Sequence, residues 1–494
     1  MGVVQRQTIK NNAVAFIAVG VGAASRLFIY PSNPELNGYS DTVINAALVL
    51  VPFLLLGTTA VMVRYLSYLE GPDRRANAGQ LLTRSLVIST GALLLLVLFN
   101  YLAEPWLNQL FVRDALHHGR WVILGLAAVM MYAGIFTSHL LSFKRIAVPV
   151  IFNNLWVKVG TALLFFLTVQ TTISAGQYGN WLIGVYGVAA VGVLSYALYR
   201  KVIRLSWGKL ALPEHHRRQL YGLAVFSIFA SLGSQIALYI DTLSINAILG
   251  DYDTSIYSLA KFTIGVVAVP YIAVNGITSP IVAEAWKNDD REQLAYLYRE
   301  SSIILFAFGG LIITGAIVCL PPLYTIIPNL EQYRAGYIAV IILSGGQLVD
   351  MATSINSNLI SMTDYYRWNV AFIMILGVFN AVLNYVFIAL LGFGITGAAI
   401  STAISVVLYN IVKVLFIYWK MDMQPLSSQH LKVSLFLLLL GGLALLIPTA
   451  WNPVAALLLR GVLVAVPFLA LLYFTNLIPA VRQLMRQGFG YLRG

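Results

Sequence analysis

Residues 11–63 read NNAVAFIAVGVGAASRLFIY (11–30), PSNPELNGYS (31–40) and DTVINAALVLVPFLLLGTTAVMV (41–63). Two apolar runs, roughly 11–30 and 41–63, flank the turn-forming segment Pro31-Ser-Asn-Pro-Glu-Leu-Asn-Gly38. Each run has about the twenty residues that a helix needs to cross a ~30 Å hydrocarbon core. The stretch therefore reads as a hairpin of two membrane spans. One ionisable side chain, Arg26, sits near the outer end of the first span. A charge inside a span costs on the order of 3 kcal/mol on insertion scales, so it needs a partner, a wet cavity or the interface.

The pattern returns in the second half of the chain. Tyr39-Ser40 recurs as Tyr257-Ser258, and the loop charges Asp73-Arg74 recur as Asp290-Arg291. The second copy carries Lys261 in its opening helix pair. The chain reads as two similar halves, each with a cation at its start.

Composition agrees with a polytopic membrane protein. Of 494 residues, 59% are hydrophobic and 10% are charged, with a net charge of +12, whereas soluble domains carry about 25% charged residues. No basic soluble domain and no nucleic-acid motif accompanies the positive charge, so nucleic acid is not an expected partner. The single cysteine, Cys319, lies in an apolar run and has no partner for an intramolecular disulfide. The first run is too long for a signal-peptide core and reads as a retained helix.

Hydropathy windows give fourteen spans, roughly 9–30, 41–64, 80–102, 120–141, 147–169, 178–200, 219–246, 254–280, 301–320, 335–360, 368–390, 395–418, 432–449 and 454–476. With the N-terminus inside, the inner segments hold 23 basic residues and the outer ones 4, Arg460 among them. That asymmetry predicts cytoplasmic termini. The expected organisation is an N-lobe over 1–200, a cytoplasmic linker over 201–219, a C-lobe over 220–420, and two further helices with an amphipathic tail over 421–494. The charged stretch 283–300 and the tail 480–494 read as interfacial amphipathic helices. Tyr30, Tyr39, Tyr65, Tyr68, Trp106, Trp121, Trp181, Trp286, Trp419 and Trp451 lie near span ends and read as an aromatic belt.

No His/Cys/Asp/Glu cluster has metal-ligand spacing, and there is no Walker loop. Of six histidines, five including His430 fall in predicted loops, and His139 lies at the inner end of the fourth span. What remains is a short set of ionisable groups inside spans. Arg26, Lys261 and the central Lys158 are candidates for lining a cavity, with snorkelling as the alternative for Arg26. Lys413 reads as a snorkelling residue near the inner end of its span. Asp241, in the seventh span, is either half of an ion pair with Lys261 or Arg26, or a coupling-ion site. Asp350, central in the tenth, is the strongest candidate ligand for a proton or sodium ion, with a structural hydrogen-bonding role as the alternative. Cations facing a cavity suit an anionic substrate such as phosphate; an organic cation would call for carboxylates and aromatics. Pro52, Pro270 and Pro280 are hinge candidates, because each removes a helix hydrogen bond.

Three stretches carry a family resemblance. They are Arg26-Leu-Phe-Ile-Tyr30 to Gly38-Tyr-Ser-Asp41 with Leu54-Leu-Leu-Gly57, then Ile256-Tyr-Ser-Leu-Ala-Lys261-Phe with Ser279-Pro280, and Asn380-Ala-Val-Leu-Asn384 through Gly394-Ile-Thr-Gly397-Ala-Ala399. In order and spacing the chain resembles the polysaccharide transporter branch, the O-antigen and capsule flippases, of the multidrug/oligosaccharidyl-lipid/polysaccharide exporter superfamily. The resemblance implies an all-α protein of two six-helix lobes plus two C-terminal helices, with a cavity lined by spans 1, 2, 7 and 8. It implies transport rather than catalysis: an undecaprenyl-pyrophosphate-linked oligosaccharide flipped across the bacterial inner membrane by alternating access. Arg26 and Lys261 would meet the pyrophosphate, and Asp41 would orient Arg26. The implied partners are the lipid-linked oligosaccharide, the bilayer and glycan polymerase machinery. No cofactor is expected beyond a coupling ion, H+ or Na+. A drug/cation antiporter of the same superfamily is the nearest alternative. A membrane glycosyltransferase, polymerase or acyltransferase is further off, because no large outer loop is present to hold a catalytic site.

Overall fold

The structure is a computed structural model that describes residues 14–15, 17–67, 71–105, 119–171, 173–208, 214–450, 452–475, 477–479 and 481–482, with backbone only at 67, 71–76 and 214–218. Arg6, Lys10, Tyr68, Trp106, Trp451, the side chains of Asp73 and Arg74 and nearly all of the tail 480–494 lie outside the described residues. The described chain is helical throughout. In order the helices are α1 (Ile17–Ser32), α2 (Pro34–Leu55), α3 (Thr58–Ser67), α4 (Gly71–Leu102), α5 (Arg120–Ser142), α6 (Ala147–Gln170), α7 (Ala175–Tyr199), α8 (Glu214–Ile248), α9 (Asp251–Gly265), α10 (Ala268–Lys287), α11 (Arg291–Ile326), α12 (Tyr337–Thr353), α13 (Asn356–Ser361), α14 (Tyr366–Leu390), α15 (Gly394–Met421), α16 (Ser428–Leu445) and α17 (Pro453–Phe474). Among the described residues, twelve helices are long and apolar enough to cross a membrane, thirteen with the bent pair α9–α10, and α1 is a shorter apolar helix. This is a multi-pass helical membrane protein.

The chain divides by contact into two units, Met1–Ser255 and Ile256–Gly494. The division falls one span later than the linker at 201–219 suggests. Helix α8 packs on α2 and α3. The segment before it is tied to α4, where Ser206 N donates to Thr83 Oγ1 (3.1 Å) and Arg84 to the Gly208 carbonyl (2.6 Å).

Local chemistry sets the start and end of α2. Asn33 caps it by accepting from Leu36 N (3.0 Å), Pro34 fills the first turn, and Glu35 meets the positive end of the helix dipole. The helix stops at Leu56 and Gly57, both left-handed (φ 44° and 71°). A Cβ at Gly57 would come 2.3 Å from the Ala224 carbonyl oxygen of α8. At Gly38 a Cβ would come 1.8 Å from the Asp251 carbonyl, so only glycine lets α2 pass there. Next to it, Asn37 Nδ2 donates to Ser255 Oγ at 2.6 Å, across 218 residues of sequence. Those two residues stand at equivalent places in the repeated halves. The core of unit 1 gathers Val43, Leu54, Met62, Leu82, Leu126, Met131, Phe165 and Tyr178 from α2 to α7.

In unit 2, α11 is the common neighbour of α10, α12, α16 and α17. The sequence places an interfacial helix at 283–300. Instead, α10 turns through Asn288–Asp290 directly into α11, which runs unbroken from Arg291 to Ile326. Asp290 caps α11 by accepting from Gln293 N (2.9 Å). The apolar face of that stretch is taken up by protein, because Leu294 and Tyr298 pack with Val282, Ala285 and Phe416.

The last two spans belong to unit 2 and are bolted to α11 by polar contacts. His430, expected in a loop, is buried in the first turn of α16, with Nε2 2.9 Å from Ser302 Oγ. Arg460, counted as an outer residue, is also buried. Pro321 and Pro322 give α11 no N–H for the carbonyls of Ile317 and Val318 four residues earlier. Tyr337 Oη supplies the first (3.0 Å) and Arg460 Nη1 the second (2.8 Å). Arg460 Nη2 also donates to the Ile447 carbonyl just beyond α16 (2.6 Å). Its charge is spent on orphaned carbonyls, which is why it does not reach the surface.

The aromatic belt needs a similar correction. Trp121, Trp181 and Trp419 are exposed as belt residues should be, but Tyr39 and Tyr65 are buried in the core.

Candidate functional site

Two buried polar clusters stand out against the apolar packing, one in each unit. In unit 1, Arg26 lies in a π-helical turn of α1 (Ser25–Ile29) that tightens into a 3-10 turn at Tyr30–Ser32. The guanidinium grips Asp41 of α2 bidentately, Nη1 to Oδ2 at 2.7 Å and Nη2 to Oδ1 at 2.5 Å. The Asn37 amide oxygen lies 3.4 Å from Nη1, and the Tyr30 ring centroid is 5.3 Å from the guanidinium carbon. The side chains are only 22% and 10% exposed, so the pair is screened weakly. Around it Ser40 Oγ and Tyr178 Oη are 2.9 Å apart, fixing α2 to α7.

Lys158 of α6 belongs to the same neighbourhood. A Cβ at Gly22 of α1 would lie 3.2 Å from its Nζ, so the ammonium is seated against the glycine, and it feels the charge of Arg26. Lys158 follows a second π-helical segment, Ile151–Trp156. Arg26 thus sits within a π turn and Lys158 two residues after one, and such turns are frequent at functional sites. Arg26, Lys158 and Asp41 leave one net positive charge among them, partly buried and able to offer N–H donors to an anion. Asp241, on α8, is fully buried in the same unit.

Lys261 lies on α9, partly exposed, in the other unit. Asp350 of α12 anchors the second cluster. Its Oδ1 accepts from Asn410 Nδ2 (2.9 Å) and its Oδ2 faces Gln347 Nε2 (3.4 Å). Asn410 in turn accepts from Thr353 Oγ1 (2.9 Å) and Asn356 Nδ2 (2.8 Å). Lys413 does not snorkel. It is 0% exposed and donates to Ser357 Oγ and to Tyr409 Oη (3.0 Å). The sequence held one clue: Tyr409, Asn410 and Lys413 fall within one turn of α15, with Tyr409 and Lys413 four apart on one face. No group of three or more potential metal-ligating His, Cys, Asp or Glu side chains occurs among the described residues.

Of the three hinge candidates, two adjoin breaks. Pro52 precedes the left-handed break at Leu56–Gly57, and Pro270 sits in the first turn of α10, bent 46° from α9. Pro280 lies inside α10, which continues past it.

No family model and no curated protein matches the chain. Its fold does match solved transporters. A lipid II flippase MurJ in an inward closed conformation aligns with a TM-score of 0.72 at 16% identity, covering 94% of this chain and 99% of that one. An inward-facing multidrug resistance MATE family transporter of the MOP superfamily gives 0.66 at 13% identity, covering 84% and 98%. A MOP superfamily transporter from Pyrococcus furiosus Vc1 (DSM3638), described by the reverse polarity of its binding pocket, gives 0.55 at 15% identity, covering 85% and 96%. At these identities the likeness is one of fold.

Proposed function

We propose that the chain is a transporter of the multidrug/oligosaccharidyl-lipid/polysaccharide exporter superfamily, in its polysaccharide branch. It moves undecaprenyl-pyrophosphate-linked oligosaccharide across the bacterial cytoplasmic membrane by alternating access, for surface polysaccharide assembly. The observation that carries this reading is the largely buried Arg26–Asp41 pair with Lys158 in the same neighbourhood, a cation pair facing a single carboxylate. A pyrophosphate can exchange for the Asp41 carboxylate on Arg26, because both present paired oxygens to the same fork of donors. A state that keeps the Arg26–Asp41 pair and a state that opens it then bind substrate differently, which is what a transport cycle needs. The broken α2–α3 and α9–α10 helices supply places to bend.

A flippase and a multidrug transporter share the fold, over 94% and 84% of the chain, so the choice between the two rests on the charges. The buried carboxylates Asp41 and Asp241 favour the second reading, an exporter of organic cations. Reconstituted vesicles decide between them. Protein-dependent exchange of a fluorescent polyprenyl-pyrophosphate oligosaccharide between leaflets supports the flippase. Organic-cation pumping under an ion gradient, with no lipid exchange, supports the exporter.

A further inference from the structure

A lysine with no exposed surface, within a span and four residues from a tyrosine it bonds, asks for an explanation that snorkelling does not give. The Lys413 ammonium is surrounded by Ser357 Oγ, Tyr409 Oη at 3.0 Å and the Tyr409 ring face, with its centroid 4.1 Å away. A hydrogen-bonded chain joins this place to the Asp350 carboxylate: Ser357 Oγ lies 3.4 Å from Asn356 Oδ1, Asn356 Nδ2 donates to Asn410 Oδ1 (2.8 Å), and Asn410 Nδ2 donates to Asp350 Oδ1 (2.9 Å). A carboxylate, hydroxyls and an amide in one buried place are the donor types that hold hard cations. Here a side-chain ammonium fills the place.

We propose that Lys413 is a tethered counter-ion: its ammonium occupies, in the Asp350 cluster, a site that would otherwise take a free monovalent cation such as Na+. A buried carboxylate without a cation is costly, and a cation that travels on the chain removes the need for one from solution. A divalent ion would leave the cluster over-charged. For the transport cycle, the inference rests on the flippase reading and narrows it: unit 2 then works without sodium. The site itself is testable without any transport assay, so a failed site and a failed flippase assignment give different results.

The experiment is thermal unfolding of purified protein in NaCl, methylammonium chloride or choline chloride at equal ionic strength. The wild type should unfold at the same midpoint in all three. Lys413→Ala should unfold earlier in choline and regain about one to three degrees in Na+ or methylammonium at roughly ten times the dissociation constant. Lys413→Ala/Asp350→Asn should lose that ion dependence. If Lys413→Ala does not fold in any of the salts, the neutral pair Lys413→Met/Asp350→Asn becomes the test: it should fold without added cation. Three results overturn the proposal. They are a sodium-specific rise in the wild type that persists in Lys413→Ala, the same midpoint for Lys413→Ala in all three salts, and a neutral pair as unstable as the single variant.

Discussion

Arg460→Ala should cost unit 2 several kcal/mol through two identifiable oxygens. The wild-type guanidinium donates to the Val318 carbonyl, which Pro322 deprives of its helical donor, and to the Ile447 carbonyl beyond the end of α16. Each buried acceptor left unmade costs about 1–3 kcal/mol, so the pair costs roughly 2–6 kcal/mol. In a unit of this size that lowers the unfolding midpoint by about 4–24 °C, at roughly 2–4 °C per kcal/mol. A second substitution isolates the cause. Pro322→Ala restores an N–H to α11 that can reach Val318, so Arg460→Ala should cost less in the Pro322→Ala background, by about 1 kcal/mol or more. The assay is thermal unfolding of the four proteins in detergent, followed by retention of the monodisperse fraction. An Arg460→Ala midpoint within a degree of wild type would refute the role given to the arginine. Equal losses in both backgrounds would refute the role given to Pro322.

Other predictions follow from the same contacts. Gly38→Ala should disrupt assembly of unit 1, because its Cβ meets the Asp251 carbonyl at 1.8 Å, whereas Gly20→Ala, with nothing within 4 Å, should be silent; yield and unfolding midpoint compare the two. Arg26→Ala and Lys261→Ala, at matched protein level, should each lower glycan export more than Lys420→Ala, whose ammonium lies over Trp419 (3.7 Å) near the end of α15; export in cells lacking the native chain is the readout. Asp41→Asn should tighten binding of inorganic pyrophosphate several-fold by removing the competing carboxylate from Arg26, measured by calorimetry on the purified protein; unchanged binding would separate Arg26 from the phosphate.

The spans were legible because hydropathy is a sum over about twenty residues, and such sums survive local irregularity. Most apolar runs fall on a single helix, and 41–64, 254–280 and 335–360 each straddle two. What the sums miss is where a charged stretch belongs. Residues 283–300 look like a surface helix because their charges are countable, but Leu294 and Tyr298 face protein, and only tertiary packing reveals it. Lys413 and Arg460 were misplaced for a related reason. Position along a span suggests snorkelling or exposure, whereas the partners that keep them inside come from α13 in one case and from a proline-broken α11 in the other. The pairing of Arg26 with Asp41 was an expectation of the resemblance. Their bidentate geometry depends on the π turn in α1, for which the sequence carries no simple signal.

The most direct test of the central claim is exchange of a polyprenyl-pyrophosphate oligosaccharide between leaflets of vesicles containing the wild type, Arg26→Ala or no protein. The account predicts exchange with the wild type well above empty vesicles, and a marked loss with Arg26→Ala at equal incorporation. Exchange by Arg26→Ala at the wild-type rate would remove Arg26 from the substrate path, and no exchange by correctly folded wild type would contradict the flippase assignment itself.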